Sequence, residues 1–251
     1  MRLSSDNRWL IIWGADLTTK AARLEVRDFA DFSQLKYSRI FSSFVNETIY
    51  DCDYTETDQI FLTTKKDSLN LKIYSFQNNE RAIESSELLS PITILAAGVK
   101  SIAYSGVNSS SRVQATYFIL HPIDSVQNAK VVEVGCTIKL LELSSSENSI
   151  IGSCSNDTLF NYIPSLNTTN YFPMGGVVTQ ISFLNDSFVA VTLDGKIVTK
   201  NLQTPSLTHE KQVPTATPNS SIAIDYTKQL LAFSSNSTNI VITDFNGTVV
   251  D

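Results

Sequence analysis

The sequence is built on a repeat. Short runs rich in β-branched and aromatic residues recur in groups of four, separated by polar turns. No window carries a convincing helical period, so the chain reads as all-β. In the C-terminal half the groups are legible strand by strand. Thr137–Leu143, Ser149–Cys154, Thr158–Ile163 and Asn170–Phe172 form one. Val177–Phe183, Phe188–Thr192, Lys196–Lys200 and a weak run near His209 form a second. Ser221–Ile224, Leu230–Phe233, Asn239–Thr243 and Val249–Val250 form a third. Their first strands begin about 41 and 42 residues apart, a regularity that one kind of unit stacked repeatedly would produce.

A spacing of about 40–45 residues is that of a four-stranded propeller blade. Thr48–Cys52 and Val99–Ala103 are further candidate first strands. The expected fold is therefore an all-β, β-propeller architecture of about six four-stranded antiparallel blades. The blades fall near 1–47, 48–98, 99–136, 137–176, 177–219 and 220–251. With 251 residues the chain matches one all-β domain, which commonly runs to about 200–250. The unit at 99–136 is the least regular, and its third and fourth strands are not assignable from sequence. Ile83–Leu88 is a short stretch compatible with a helical turn.

Turn chemistry narrows the family. Asp194-Gly195-Lys196-Ile197 suits a tight hairpin between second and third strands, and Asn156-Asp157-Thr158-Leu159 and Lys66-Asp67-Ser68-Leu69 are weaker versions. Leu24-Glu25-Val26-Arg27-Asp28-Phe29 and Val241-Ile242-Thr243-Asp244-Phe245 end third strands in Asp. On these residues the chain resembles the WD-repeat family of β-propellers, over most of its length in spacing and strand pattern. The Trp of the family's Trp-Asp is absent. So is its Gly-His dipeptide, since His121 and His209 stand elsewhere.

The resemblance implies that Ser4–Leu10 is a turn between first and second strands. Trp9–Trp13, Arg23–Asp28 and Lys36–Ser42 would then be the second, third and fourth strands. On that reading the first blade lacks most of its innermost strand, and Gly247–Asp251 already completes the last blade. The expectation is a ring left open, or one completed by a partner or by further chain. The latter two are favoured, because a bare inner edge exposes backbone donors and apolar surface. Some six-bladed propellers of coat and nuclear-pore scaffolds are similar, completed by a partner's blade.

No catalytic, cofactor-binding or metal-binding residue is assigned. Two histidines, neither with Cys or His at ligand spacing, argue against zinc. There is no Gly-x-Ser-x-Gly elbow and no phosphate-cradling loop, and Gly175-Gly176 precedes a strand as an inter-blade turn. His121-Pro122-Ile123-Asp124 is a conceivable acid–base pair that reads as structural. Asp51, Asp53, Glu56 and Asp58 lack the glycine and terminal glutamate of a calcium loop and read as a solvated face. Trp9, Trp13, Phe41 and Phe44 are candidates for a partner surface, with Trp13 better read as packing between blades. Ile181, Phe183, Val189, Val191 and Ile197 alternate with polar positions and are expected in the core.

The net charge of −6 and pI near 5.0 argue against non-specific nucleic-acid binding, which needs clustered cations. Trp9–Ala15 is too short for a signal core or a membrane span. Cys52, Cys136 and Cys154 are odd in number without CxxC spacing, and read as thiols in a reducing compartment. Asn-x-Ser/Thr sequons stand at Asn46, Asn108, Asn156, Asn167, Asn185, Asn219, Asn236 and Asn246. With no export signal legible, they are read as products of a Ser-, Thr- and Asn-rich composition.

The functional expectation is a non-catalytic protein–protein interaction scaffold, a subunit of a larger cytoplasmic or nuclear assembly. The alternatives are a secreted or lumenal glycosylated propeller, or the non-catalytic propeller domain of a larger enzyme. A propeller-fold nucleotide-exchange factor would need a dedicated loop, and none is visible.

Overall fold

The computed structural model describes residues 2–3, 9–16, 18–19, 21–45, 48–54, 60–65, 72–77, 79–84, 89–98, 100–123, 128–144, 146–184, 187–202, 208–212, 222–225, 228–234, 240–244 and 248–250. The fold is all-β, and the described strands form antiparallel sheets. The chain divides into two compact units, Met1–Gly135 and Cys136–Asp251.

Unit 1 contains three sheets, each a meander in which neighbours in sequence are neighbours in space. The first is β1 (Arg2–Leu3), β2 (Trp9–Ala15), β3 (Ala21–Asp28) and β4 (Leu35–Val45). The second is β5 (Thr48–Tyr54), β6 (Ile60–Lys65), β7 (Lys72–Gln77) and β8 (Asn79–Glu84). The third is β9 (Leu89–Ala97), β10 (Ser101–Asn108), β11 (Tyr117–Pro122) and β12 (Lys130–Glu133).

This third sheet corrects the sequence reading. Ser101–Ala103 belong to its second strand, and the first strand starts ten residues or so before the expected boundary at 98/99. Pro91 lies in β9, which the sheet tolerates because β9 is an edge strand. Ile83 and Glu84 end β8 rather than starting a helical turn.

Unit 2 repeats the plan. Its sheets are β13 (Ile138–Leu143), β14 (Ile150–Cys154), β15 (Thr158–Ile163) and β16 (Thr168–Pro173), then β17 (Val178–Leu184), β18 (Ser187–Thr192), β19 (Lys196–Asn201) and β20 (Thr208–Gln212). A three-stranded sheet follows, β21 (Ile222–Asp225), β22 (Leu230–Ser234) and β23 (Ile240–Asp244). The segment after β23 runs back along it through a Thr243–Val249 bridge and a bond from Val250 N to Ile242 O.

The hairpins follow their turn residues. Gly195 adopts φ +84° between β18 and β19, where its N–H reaches Thr192 O at 2.9 Å. Asp157 adopts φ +59° between β14 and β15, a conformation that Asp tolerates better than most residues.

The cores lie between the faces of successive sheets. Ile11, Ala22, Leu24 and Val26 pack with Ile49 and Cys52, joining the first sheet to β5. In unit 2, Ile151, Leu159, Val178, Ile181, Phe188, Ala190 and Val198 form one cluster across two sheets. Ile181, Val189, Val191 and Ile197 are buried, while Phe183 is half-buried against that cluster. The period-two expectation fails along β18, where Phe188 to Thr192 are all buried. A strand covered on both faces reads as a continuous apolar run.

First strands lie side by side within each unit, β5 beside β9 and β13 beside β17. A β-bulge recurs in their pairing with the second strands. It follows buried Ile49 in β5, Ile92 in β9, Ile138 in β13 and Val178 in β17. These positions recur roughly every 40–46 residues, so the repeat extends to backbone detail.

Two of the three expected thiols are not free. Cys136 and Cys154 form a disulfide with their Cα atoms 5.6 Å apart, and only Cys52 is a buried thiol. Spacing in sequence gave no hint of this, because the pair is created when β14 turns back towards the start of β13.

Candidate interaction surface

The site is built from β3 outward. Alternation along β3 buries Ala22, Leu24 and Val26 and turns Arg23, Glu25 and Arg27 to the other face. Glu25 accepts hydrogen bonds from Arg23 and from Arg27 Nε, the latter at 2.8 Å. The Arg27 bond, aided by that from Arg23 and by both positive charges, holds the Glu25 carboxyl below its ordinary range against the opposing effect of partial burial. Arg27 is thereby fixed, and its second end reaches forward. Its Nη1 donates to Phe32 O at 3.0 Å, and its guanidinium stands 5.3 Å from the centre of the Phe32 ring.

The loop between β3 and β4 supplies its own hydrogen bonds. Asp28 Oδ1 accepts from the N–H groups of Ala30 and Asp31 at 2.8 and 3.1 Å. Asp31 accepts from Ser33 N, Ser33 Oγ and Gln34 Nε2, and these bonds hold its carboxyl below the ordinary range. Asp28 N and Gln34 N close the loop onto Gln34 O and Asp31 O. The backbone is pinned at both ends and in the middle.

This pinned loop turns apolar side chains to water. Phe29 is 57% exposed and Phe32 53%, and they are followed on β4 by Leu35 at 47% and Ile40 at 43%. Lys36 lies over the Trp9 ring, 4.3 Å from its centre. Single exposed apolar residues are ordinary, whereas this one hairpin carries four, two of them aromatic and both in the loop.

The residues singled out in the sequence fare differently. Trp9 and Trp13 are half-buried, packed in part against the first core. The side chains of Phe41 and Phe44 lie outside the described residues. So do Glu56, Asp58 and Asp124, so the His121–Asp124 pairing is not displayed. His121 itself is buried in β11, 2% exposed.

Asp51 and Asp53 are not a solvated face. Asp51 Oδ2 accepts the N–H of Leu95 at 2.9 Å, and Asp53 Oδ2, on a residue 8% exposed, accepts that of Ala97 at 2.8 Å. These are donors on the free edge of β9, so the two carboxylates tie the second sheet to the third. In the sequence Phe29 stands out only as the residue after Asp28 at the end of a third strand, and Phe32 not at all. The available signal was two aromatics inside the turn that follows.

Among the described residues no three of His, Cys, Asp and Glu converge as metal ligands, and no helix is long and apolar enough to cross a membrane. No protein-family model matches the chain, and no curated protein is similar enough in sequence to be matched.

Proposed function

We propose that the chain is a WD-repeat-like β-propeller of six blades that acts as a non-catalytic scaffold, binding a protein partner through the β3–β4 hairpin. Support for the propeller comes from consecutive meander sheets, recurring bulges and adjacent first strands within each unit. The two Asp residues that carry the WD-like pattern both act as turn caps. Asp28 holds the loop after β3, and Asp244 Oδ1 accepts Thr248 N at 2.7 Å after β23.

The observation that carries the function is the pinned loop bearing Phe29 and Phe32. Aromatic anchors held in place before binding lose little entropy when a partner covers them. The direct test is the double variant Phe29→Ser/Phe32→Ser in the full chain, expressed in its own cells. Both positions are exposed, so the thermal midpoint should stay close to wild type, as for surface changes of about 0.5 kcal/mol or less. Proteins co-purifying in stoichiometric amounts with the wild type should be lost. Their retention at wild-type levels, or a wild-type chain that purifies alone, overturns the reading.

A further inference from the structure

We propose that Asn156 carries an N-linked oligosaccharide, and that the chain folds in an oxidising, glycosylating compartment. Two independent observations meet at one hairpin. The first is the Cys136–Cys154 disulfide, a bond that persists where thiols are not kept reduced. The second is the sequon Asn156-Asp157-Thr158, which begins two residues after the bridge.

The hairpin presents that sequon outward. Ser155 and Asn156 are exposed in the turn between β14 and β15, while Cys154 before them is buried. The turn is held by Ser155 N to Thr137 O at 2.9 Å and by Met174 N to Asp157 O at 2.8 Å. Its backbone is therefore fixed without using the Asn156 amide, and a bulky group there displaces no core residue. Asn167, exposed on the hairpin at the other end of β15, is a second acceptor of the same kind, with its Oδ1 accepting Tyr162 Oη at 3.1 Å. Asn108 is a poorer one. Its amide already donates to Tyr117 Oη at 3.0 Å, and its Oδ1 accepts Ser110 N and Ser111 N. The other five sequons lie outside the described residues.

The chemistry balances with a lipid-pyrophosphate-linked oligosaccharide as donor. Asn156 Nδ2 forms a bond to the anomeric carbon of the first sugar. The bond from that carbon to the pyrophosphate oxygen breaks, the lipid pyrophosphate leaves, and one amide proton goes to the transferase's base. Disulfide formation separately passes two electrons and two protons from the Cys136 and Cys154 thiols to a protein disulfide of the same compartment.

The test uses the full-length protein isolated from the cells that make it. The chain is alkylated without reduction, digested, and treated with peptide N-glycosidase in heavy-oxygen water. The peptide containing Asn156 should appear at its deglycosylated, heavy-oxygen-labelled mass only after that treatment, still joined to the Cys136 peptide until reduced. An Asn156→Gln chain should lose one glycan's worth of gel shift, and Thr158→Ala the same, while Thr158→Ser keeps it. An unmodified Asn156 peptide in the native protein, or alkylated Cys136 and Cys154, overturns the proposal. Neither result touches the Phe29–Phe32 reading, which the partner experiment judges separately.

Discussion

At the scale of single residues, His121 shows how burial without a partner becomes a pH response. It lies on the face of β11 that carries Tyr117 and Ile119 into the core, opposite Ile102 of β10. Among the described residues neither ring nitrogen makes a hydrogen bond of good geometry. Loss of water pushes its pKa below the ordinary 6.5, and the main chain at Pro122 and at His121 itself opposes this only in part. The folded chain therefore refuses a proton that the unfolded chain accepts. Stability should be full above about pH 6.5 and fall as pH drops through that value towards the lowered folded one. Denaturant midpoints between mildly acidic and neutral pH should show the fall in wild type and a smaller one in His121→Leu. Equal slopes in both proteins would show that His121 carries none of it. Gly152 is the second residue-scale case. A Cβ there would strike the Phe160 ring and stand 2.8 Å from Leu140 O. Gly152→Ala should cost about 1–3 kcal/mol by overpacking, with part regained in Gly152→Ala/Phe160→Leu; an unchanged thermal midpoint in the single variant would contradict the packing.

At the scale of elements, the question is how a sheet edge is closed. The edge strand β9 has N–H groups that β10 does not take, and Asp51 and Asp53 on β5 accept two of them. A buried donor left unmet costs about 1–3 kcal/mol. Asp53→Ala should lower stability by that order in a denaturant titration, whereas Asp53→Asn, which keeps an acceptor oxygen, should lose a fraction of it. If Asn were as damaging as Ala, the contact would matter for charge and not for capping. The carboxylates were visible in the sequence as an acidic cluster. Their role was not, because the partners lie 44 residues away and meet them only when two sheets pack.

At the scale of the whole molecule, the repeat is the organising fact. Each sheet is a meander, a connection that chain order alone makes short and cheap to close. If the sheets are blades of one propeller, electron-microscope class averages of the purified chain should show a disc with six radial densities about a central axis. Two separate bodies at variable distance would refute the single disc and leave the individual sheets intact. Far-ultraviolet circular dichroism on the same sample should show a strand-dominated spectrum.

The order of strands in β2 to β4 and in β13 to β20 was legible because strand periodicity and turn chemistry are local. The third sheet was less legible, since an edge strand containing Pro91 and a bulge after Ile92 departs from the simple pattern. The β character of this chain and its repeat of about 40 residues were written in the sequence, since both follow from which side chains alternate along it. It took folding to bring Cys136 to Cys154, to set Asp51 and Asp53 against β9, and to leave Phe29 and Phe32 facing water on a pinned loop. The first two depend on which distant segments become neighbours. The third depends on whether a neighbouring element covers the loop, which no local pattern encodes.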